Sequence, residues 1–300
     1  MKSILYILLI VLTYWWVTGF LRHRRLKTYK SLRQLNDDGT YHKYDRDTMR
    51  VGRHGKDIPR VQAKNFVHGR PQIVMGLSDT WACRDWTFDY FKRHHGNTYF
   101  ESLEGENTAI GIAFSDFYHY AKYQRDNFPL YIFDEGVDSR PDTKHLVDQW
   151  TVPEIFRDDW FDQFDDYIRP PYRWIIMSPK RSGQQMHVDP LATSAWNTLL
   201  SGKKRWIIFK PDAGIGVHAD IRETGIDWYL HHYDEFKHLE HWDFIQHPGE
   251  TVYIPSGYWH NVINLEDCVS VTQNFLPKKD FAKNEHLVRR ERPDLFEKER

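Results

Sequence analysis

Histidine and carboxylate pairs are where this chain first offers chemistry. An imidazole and a carboxylate two positions apart on a strand project from the same face, close enough to grip one metal ion. Four His-x-Asp triplets occur: His187-Val188-Asp189, His218-Ala219-Asp220, His232-Tyr233-Asp234 and His241-Trp242-Asp243. With 17 His and 28 Asp in 300 residues, chance yields roughly 1.6 of them, so frequency selects none. Context selects the first. It closes an apolar strand pattern and precedes Pro190 and a second apolar strand. The other three lie in or beside a polar insert, where solvated loop and helix-face residues are expected.

A third ligand must come from a neighbouring strand. Residues 249–264 read as strand, tight turn, strand: Pro255 fixes φ, Gly257 tolerates positive φ, and His260 emerges on the return strand. The spacing Gly249, Pro255, Gly257, His260, Asn264 matches the second motif of the cupin superfamily. Together with His187 and Asp189 it resembles the JmjC oxygenases, and within them the jumonji-domain arginine demethylase and lysyl hydroxylase (phosphatidylserine-receptor-like) group. Pro129 to Asp134 (PLYIFD), Arg169 to Trp174 (RPPYRW), Thr193 to Asn197 (TSAWN), Gly202 to Trp206 (GKKRW) and Thr272 to Phe275 (TQNF) carry the same likeness, which runs from about residue 58 to 280.

The resemblance implies a mainly β chain, a double-stranded β-helix (jelly roll, cupin-like) with flanking helices. It implies Fe(II) held by His187, Asp189 and His260, two His and one carboxylate leaving three positions open. It implies 2-oxoglutarate and dioxygen as cosubstrates, with Lys204 for the distal carboxylate, Tyr131 as hydroxyl donor, and Asn197 and Thr272 in contact. Taken alone, Lys203-Lys204-Arg205 equally reads as a solvated hairpin, and Asn197 and Thr272 as satisfied sheet groups. The family carries a small hydroxyl residue three positions before the first ligand; here Gln184 stands there, a longer amide that can also donate. The implied activity is hydroxylation of a protein Lys or Arg side chain, which becomes demethylation when the carbon attacked is an N-methyl.

Several elements must position these groups. Short β-branched or aromatic strands are expected over 174–177, 185–188, 194–200, 205–209, 251–254, 259–263 and 269–272, separated by Gly, Pro and Ser turns, the pattern of an antiparallel sandwich or barrel. Further strands are expected at 71–75 and 130–133, and helices from Trp86, over 116–123 and from Asp280. Residues 221–246 read as a polar, partly helical insert. Trp174, Trp196, Trp206 and Trp259 flank the motifs, as core packing or as a substrate cage.

Ahead of the body, Ile4 to Leu21 are 18 uncharged residues, which as a helix reach roughly 27 Å. The expected organisation is a membrane anchor at 1–21, a polar tether at 22–57, a catalytic domain at 58–280 with the ligand-bearing barrel at about 172–276, and a charged C-terminal helix or tail at 281–300. Arg22, Arg24, Arg25, Lys27 and Lys30 follow the apolar run, so the positive-inside bias predicts a single-pass membrane protein with a cytosolic body, the endoplasmic reticulum lumen and the nucleus being the alternatives.

Composition narrows the rest. Aromatic residues at 16% exclude a disordered chain, and 41 basic against 42 acidic side chains argue against nucleic-acid binding by bulk charge. Two distant cysteines, Cys83 and Cys268, exclude a disulfide scaffold and a Cys-based zinc site. Two rival readings remain: a cupin that binds a peptide or small acid without turnover, and a cupin enzyme that uses Zn or Mn.

Overall fold

The computed structural model describes residues 55–299 apart from 105–107, 125, 127–128 and 219–223. In chain order the strands are β1 (Arg60–Gln62), β2 (Gln72–Met75), β3 (Tyr99–Glu104), β4 (Thr108–Ala113), β5 (Tyr131–Asp134), β6 (Arg173–Ser178) and β7 (Gly183–His187). There follow β8 (Ser194–Ser201), β9 (Lys204–Phe209), β10 (His241–Gln246), β11 (Glu250–Ile254), β12 (Trp259–Asn264) and β13 (Cys268–Phe275). Helices are α1 (Phe88–His94), α2 (Phe114–Tyr123), α3 (Gly225–His231), α4 (Tyr233–Phe236) and α5 (Lys278–Glu291).

Two sheets form. The larger runs β1-β2-β11-β8-β13-β6-β5-β3-β4, the smaller β10-β9-β12-β7. All pairings are antiparallel except β1 with β2, which is parallel. This mainly β arrangement is consistent with a cupin-like jelly roll.

Central strand β9 of the small sheet is buried on both faces, which is why its residues 206–209 read as a continuous apolar run rather than an alternating one. Trp206 and Ile208 of β9 face the large sheet, packing with Ile73, Val252 and Ile254. Ile207 and Phe209 face the other way, under Trp228 and Tyr229 of α3 and Phe236 of α4. Lys204 shares the inward parity of Trp206, and Arg205 the outward one. Helices α1 and α2 cover the outer face of the large sheet, where Phe88, Phe91, Phe114 and Phe117 join Ile175, Met177 and Val271. Gln246 ties the sheets together: its Oε1 accepts from Trp206 Nε1 at 2.8 Å, and its Nε2 donates to Asn197 O at 2.9 Å.

The turn after β11 has the expected chemistry, with Gly257 at φ +78°, where a side chain is strained. The insert is half what its composition suggests. Helices α3 and α4 occupy 225–236, but His241-Trp242-Asp243, expected on a solvated surface, lies on strand β10 with His241 and Asp243 buried. Burial is tolerated because Asp243 takes a bidentate ion pair from Arg205, at 2.8 and 2.6 Å, and a hydrogen bond from the Tyr233 hydroxyl at 2.9 Å. For Arg205, burial works against the charge but Asp243 outweighs it, so the guanidinium pKa is raised.

The localisation expectation requires correction. Among the described residues no helix is long and apolar enough to cross a membrane, so a single-pass membrane placement is not supported. The apolar segment 4–21 and the tether to residue 54 lie outside the described residues.

Candidate active site

Strands β7 and β12 lie side by side with His187 directly opposite His260, their ring centroids 4.0 Å apart. Each ring is oriented by its own strand: His187 Nδ1 donates to Gln185 O at 2.8 Å, and His260 Nδ1 to Tyr258 O at 3.1 Å. A carbonyl only accepts, so both Nδ1 atoms carry the proton and both Nε2 atoms present lone pairs. The Asp189 carboxylate completes the group, its Oδ1 lying 3.7 Å from His187 Nε2 and 3.9 Å from His260 Nε2. The three candidate ligand atoms lie within 4.8 Å of one another.

Electrostatics suit a cation. Burial, helped by the neighbouring His187, pushes the His260 imidazole down to about 4, so the ring is neutral near pH 7. Burial opposes the Asp189 charge, but the His260 and His187 rings and the Asn274 amide outweigh it and hold the carboxyl below its ordinary value. Two imidazole nitrogens and one carboxylate are a donor set that fits Fe(II).

Asp189 reaches this position differently from the strand geometry expected. β7 ends at His187, and Asp189 sits in extended backbone (φ −61°, ψ 139°) immediately before the 3-10 turn Pro190–Ala192. Gln184 departs from simple alternation too. Along β12 His260 faces His187 and Val262 faces Gln184, so two steps on β12 match three on β7. This bulge puts Gln184 on the same face as His187, where a regular strand would oppose them.

A cavity of about 280 Å³ brings the candidate residues together: His187, Asp189, His260, Lys204, Tyr131, Asn197, Thr272 and Gln184 all line it. Lys204 is buried, not on a solvated hairpin. Its ammonium donates to Ser270 Oγ at 2.9 Å, no carboxylate among the described residues pairs with it, and burial pushes it down to about 8. A buried cation without a counter-charge fits an anionic ligand in the cavity. Thr272 Oγ1 donates to Trp196 O at 2.8 Å, so its proton serves the sheet. Asn197 Oδ1 is buried without a hydrogen-bond partner.

Ser270 was not singled out by sequence, and Asn274 only as part of the Thr272 to Phe275 motif; the pairing of β13 with β8 and β6 places both here. The other triplets do not join the site. His232 immediately precedes α4 and His218 ends a 3-10 turn, while Asp220 lies outside the described residues. Trp174 and Trp206 line the cavity, whereas Trp196 is core. Burial raises the Cys83 and Cys268 thiols to about 12, which keeps both protonated.

The family comparison agrees with this geometry. Residues 174–275 match the model of the JmjC domain, hydroxylase. The chain is 41% identical over 237 residues to the lysine-specific demethylase JMJ21 of Arabidopsis thaliana, covering 73% of this chain and 24% of that protein. It is 38% identical over 236 residues to the bifunctional arginine demethylase and lysyl-hydroxylase psr-1 of Caenorhabditis elegans, covering 73% and 57%. Against the 2-oxoglutarate and iron-dependent oxygenase JMJD4 of Mus musculus it is 26% identical over 226 residues, covering 68% and 52%. The match thus spans less than two thirds of the length of these relatives. With the His187, Asp189 and His260 cluster inside the matched segment, residues 174–275 of this chain are a JmjC domain.

Proposed function

We propose that this chain is an Fe(II)- and 2-oxoglutarate-dependent dioxygenase that hydroxylates, or by hydroxylation demethylates, a Lys or Arg side chain of a protein. The observation that carries the reading is the pairing of two features in one cavity: ring nitrogens of His187 and His260 converging with the Asp189 carboxylate, and a buried Lys204 ammonium with no carboxylate partner among the described residues. The names of the relatives, lysine and arginine demethylases and a lysyl-hydroxylase, support the substrate class.

In this reading His187, Asp189 and His260 hold Fe(II), which with dioxygen supplies the oxidation: 2-oxoglutarate leaves as succinate and CO2, one oxygen atom entering succinate and the other a substrate C–H bond. Lys204 holds the distal carboxylate of 2-oxoglutarate, with Tyr131, Asn197, Thr272 and Gln184 as neighbouring contacts. Pro170, Pro171, Tyr172 and Trp174 wall the cavity with apolar surface that excludes water and suits the stem of a long side chain. Which carbon is presented decides the outcome, because hydroxylation of an N-methyl group gives a hemiaminal that loses formaldehyde. The working organisation is a catalytic domain over 58–280, its ligand-bearing barrel at about 172–276, followed by the C-terminal segment 281–300.

Anaerobic loading with Fe(II) and 2-oxoglutarate, then oxygen and a panel of Lys- and Arg-containing peptides, tests the proposal. Succinate formed in proportion to hydroxylated or demethylated peptide is the expected result. Cosubstrate binding without succinate favours a non-catalytic module, and turnover that ignores iron and oxygen favours a cupin using another metal.

A further inference from the structure

Two of the three candidate ligands are fixed by strand pairing, since His187 and His260 face each other across β7 and β12. Asp189 is not. Its carboxylate meets the Asn274 amide of β13, but its backbone is placed by the turn that carries the chain from β7 into β8, and that turn is strained. Leu191 (φ 56°) and Ala192 (φ 54°) are consecutive left-handed residues, neither of them glycine. L-residues hold this conformation only where surrounding structure over-determines it.

The restraint comes from a hundred residues away. Glu291, the last residue of α5, accepts a hydrogen bond from the Leu191 amide at 2.6 Å through Oε2. A carboxylate at a helix C-terminus faces the negative end of the helix dipole, where cations are favoured. Glu291 nevertheless stands there, beside Arg289, Arg290 and Arg292. The Leu191 side chain packs on the same helix, in a cluster with Val288, Leu276, Phe161 and Phe296. From inside the turn, Thr193 Oγ1 donates to Pro190 O at 2.8 Å and in turn accepts from Asn274 Nδ2 at 3.1 Å.

We infer that Glu291 is a positioning residue for the metal site: by holding the Leu191 amide it keeps the strained turn closed and the Asp189 carboxylate aimed at His187 and His260. The inference rests on the proposed metal-site reading. Without the Glu291 acceptor the turn relaxes, Asp189 swings away, and the two imidazoles remain as an incomplete site. Arg292, the next residue, instead donates to Ile168 O at 3.0 Å, so it docks the same helix end without touching the turn.

Mn(II) titrated calorimetrically into the full chain, with melting temperature read in parallel, separates positioning from folding. Glu291→Ala is expected to weaken Mn(II) by about 10-fold or more, the usual effect of removing a partner that orients a ligand. Glu291→Gln, whose side-chain oxygen still accepts at the same reach, should recover most of that affinity. Ala192→Gly, which removes one of the two strained conformations, should restore part of it in the Glu291→Ala background. Arg292→Ala should lower the melting temperature while leaving Mn(II) affinity unchanged. If Glu291→Ala does not fold, Glu291→Asp against Glu291→Gln carries the test, since Asp withdraws the acceptor by one methylene. Wild-type Mn(II) affinity in Glu291→Ala, or equal affinity in the Asp and Gln variants, overturns the inference provided Asp189→Ala abolishes binding. Wild-type protein that takes up no Mn(II) overturns the metal-site reading itself, a separate failure.

Discussion

Replacing Lys204 by Met should make the ligand-free protein more stable and its cosubstrate binding much weaker. The side chains have similar length, and Met removes a buried ammonium whose hydrogen bond goes to Ser270 Oγ and which no carboxylate balances. Burial moves the lysine from 10.5 to about 8, a displacement of roughly 3 kcal/mol at 1.36 kcal/mol per pH unit. Losing the Ser270 bond returns about 1 kcal/mol, leaving a net gain of roughly 2 kcal/mol near pH 7. For a domain of this size that is a rise of about 4–8 °C in Tm. The sign with pH is fixed. Below pH 8 the lysine is charged folded and unfolded, and the penalty is fully present. Between pH 8 and 10.5 only the unfolded chain keeps the proton, so wild-type stability rises with pH in that window and the Met variant shows no such rise. Binding moves oppositely: a lost charge-assisted hydrogen bond of about 1.5–3 kcal/mol weakens 2-oxoglutarate by about 10- to 150-fold, with metal affinity little changed. For the wild type, 2-oxoglutarate affinity should fall by about tenfold between pH 7 and 9 as the free lysine deprotonates through about 8. Urea unfolding from pH 7 to 10.5 and calorimetric titration with 2-oxoglutarate read both effects. Unchanged 2-oxoglutarate affinity in Lys204→Met refutes the assignment, and a less stable variant at pH 7 refutes the unbalanced-charge argument.

Alanine at His187, Asp189 or His260 should abolish iron-dependent succinate formation, whereas His232→Ala should retain it; equal damage at His232 would mean the wrong triplet was chosen. Gln184→Thr should leave 2-oxoglutarate affinity equal or better by titration, and a severe loss would show that the amide has its own role. Asp243→Asn leaves the buried Arg205 guanidinium without its counter-charge, and urea unfolding should record a loss of about 3–5 kcal/mol.

Local chemistry made much of this protein readable before its structure. The β11–β12 turn is written by Pro255 and Gly257, whose φ preferences belong to the residues themselves, and strands such as β9 and β11 show as apolar runs because both of their faces are buried. The strand-turn-strand pattern of residues 249–264 offered His260 as partner to His187 and Asp189, the JmjC likeness added the cosubstrate residues, and the cavity holds all eight candidate residues. Strand β10 was missed because His241, Asp243 and Gln246 look solvated; their partners, among them Arg205, Tyr233 and the Asn197 carbonyl, arrive only when distant segments pair. The parallel β1, only three residues long, and the β3–β4 pair were missed as well.

By itself, the sequence determined which side chains could bind a metal, because residue type and short-range spacing are local properties; the residues for an acidic cosubstrate were legible only through the family likeness. Tertiary structure alone decided how they are aimed. The bulge in β7 puts Gln184 beside His187, and burial leaves Lys204 without a counter-charge. The turn that presents Asp189 is bonded to Glu291, one hundred positions further along the chain. Orientation and burial depend on contacts between residues far apart in sequence, and no local spacing encodes them.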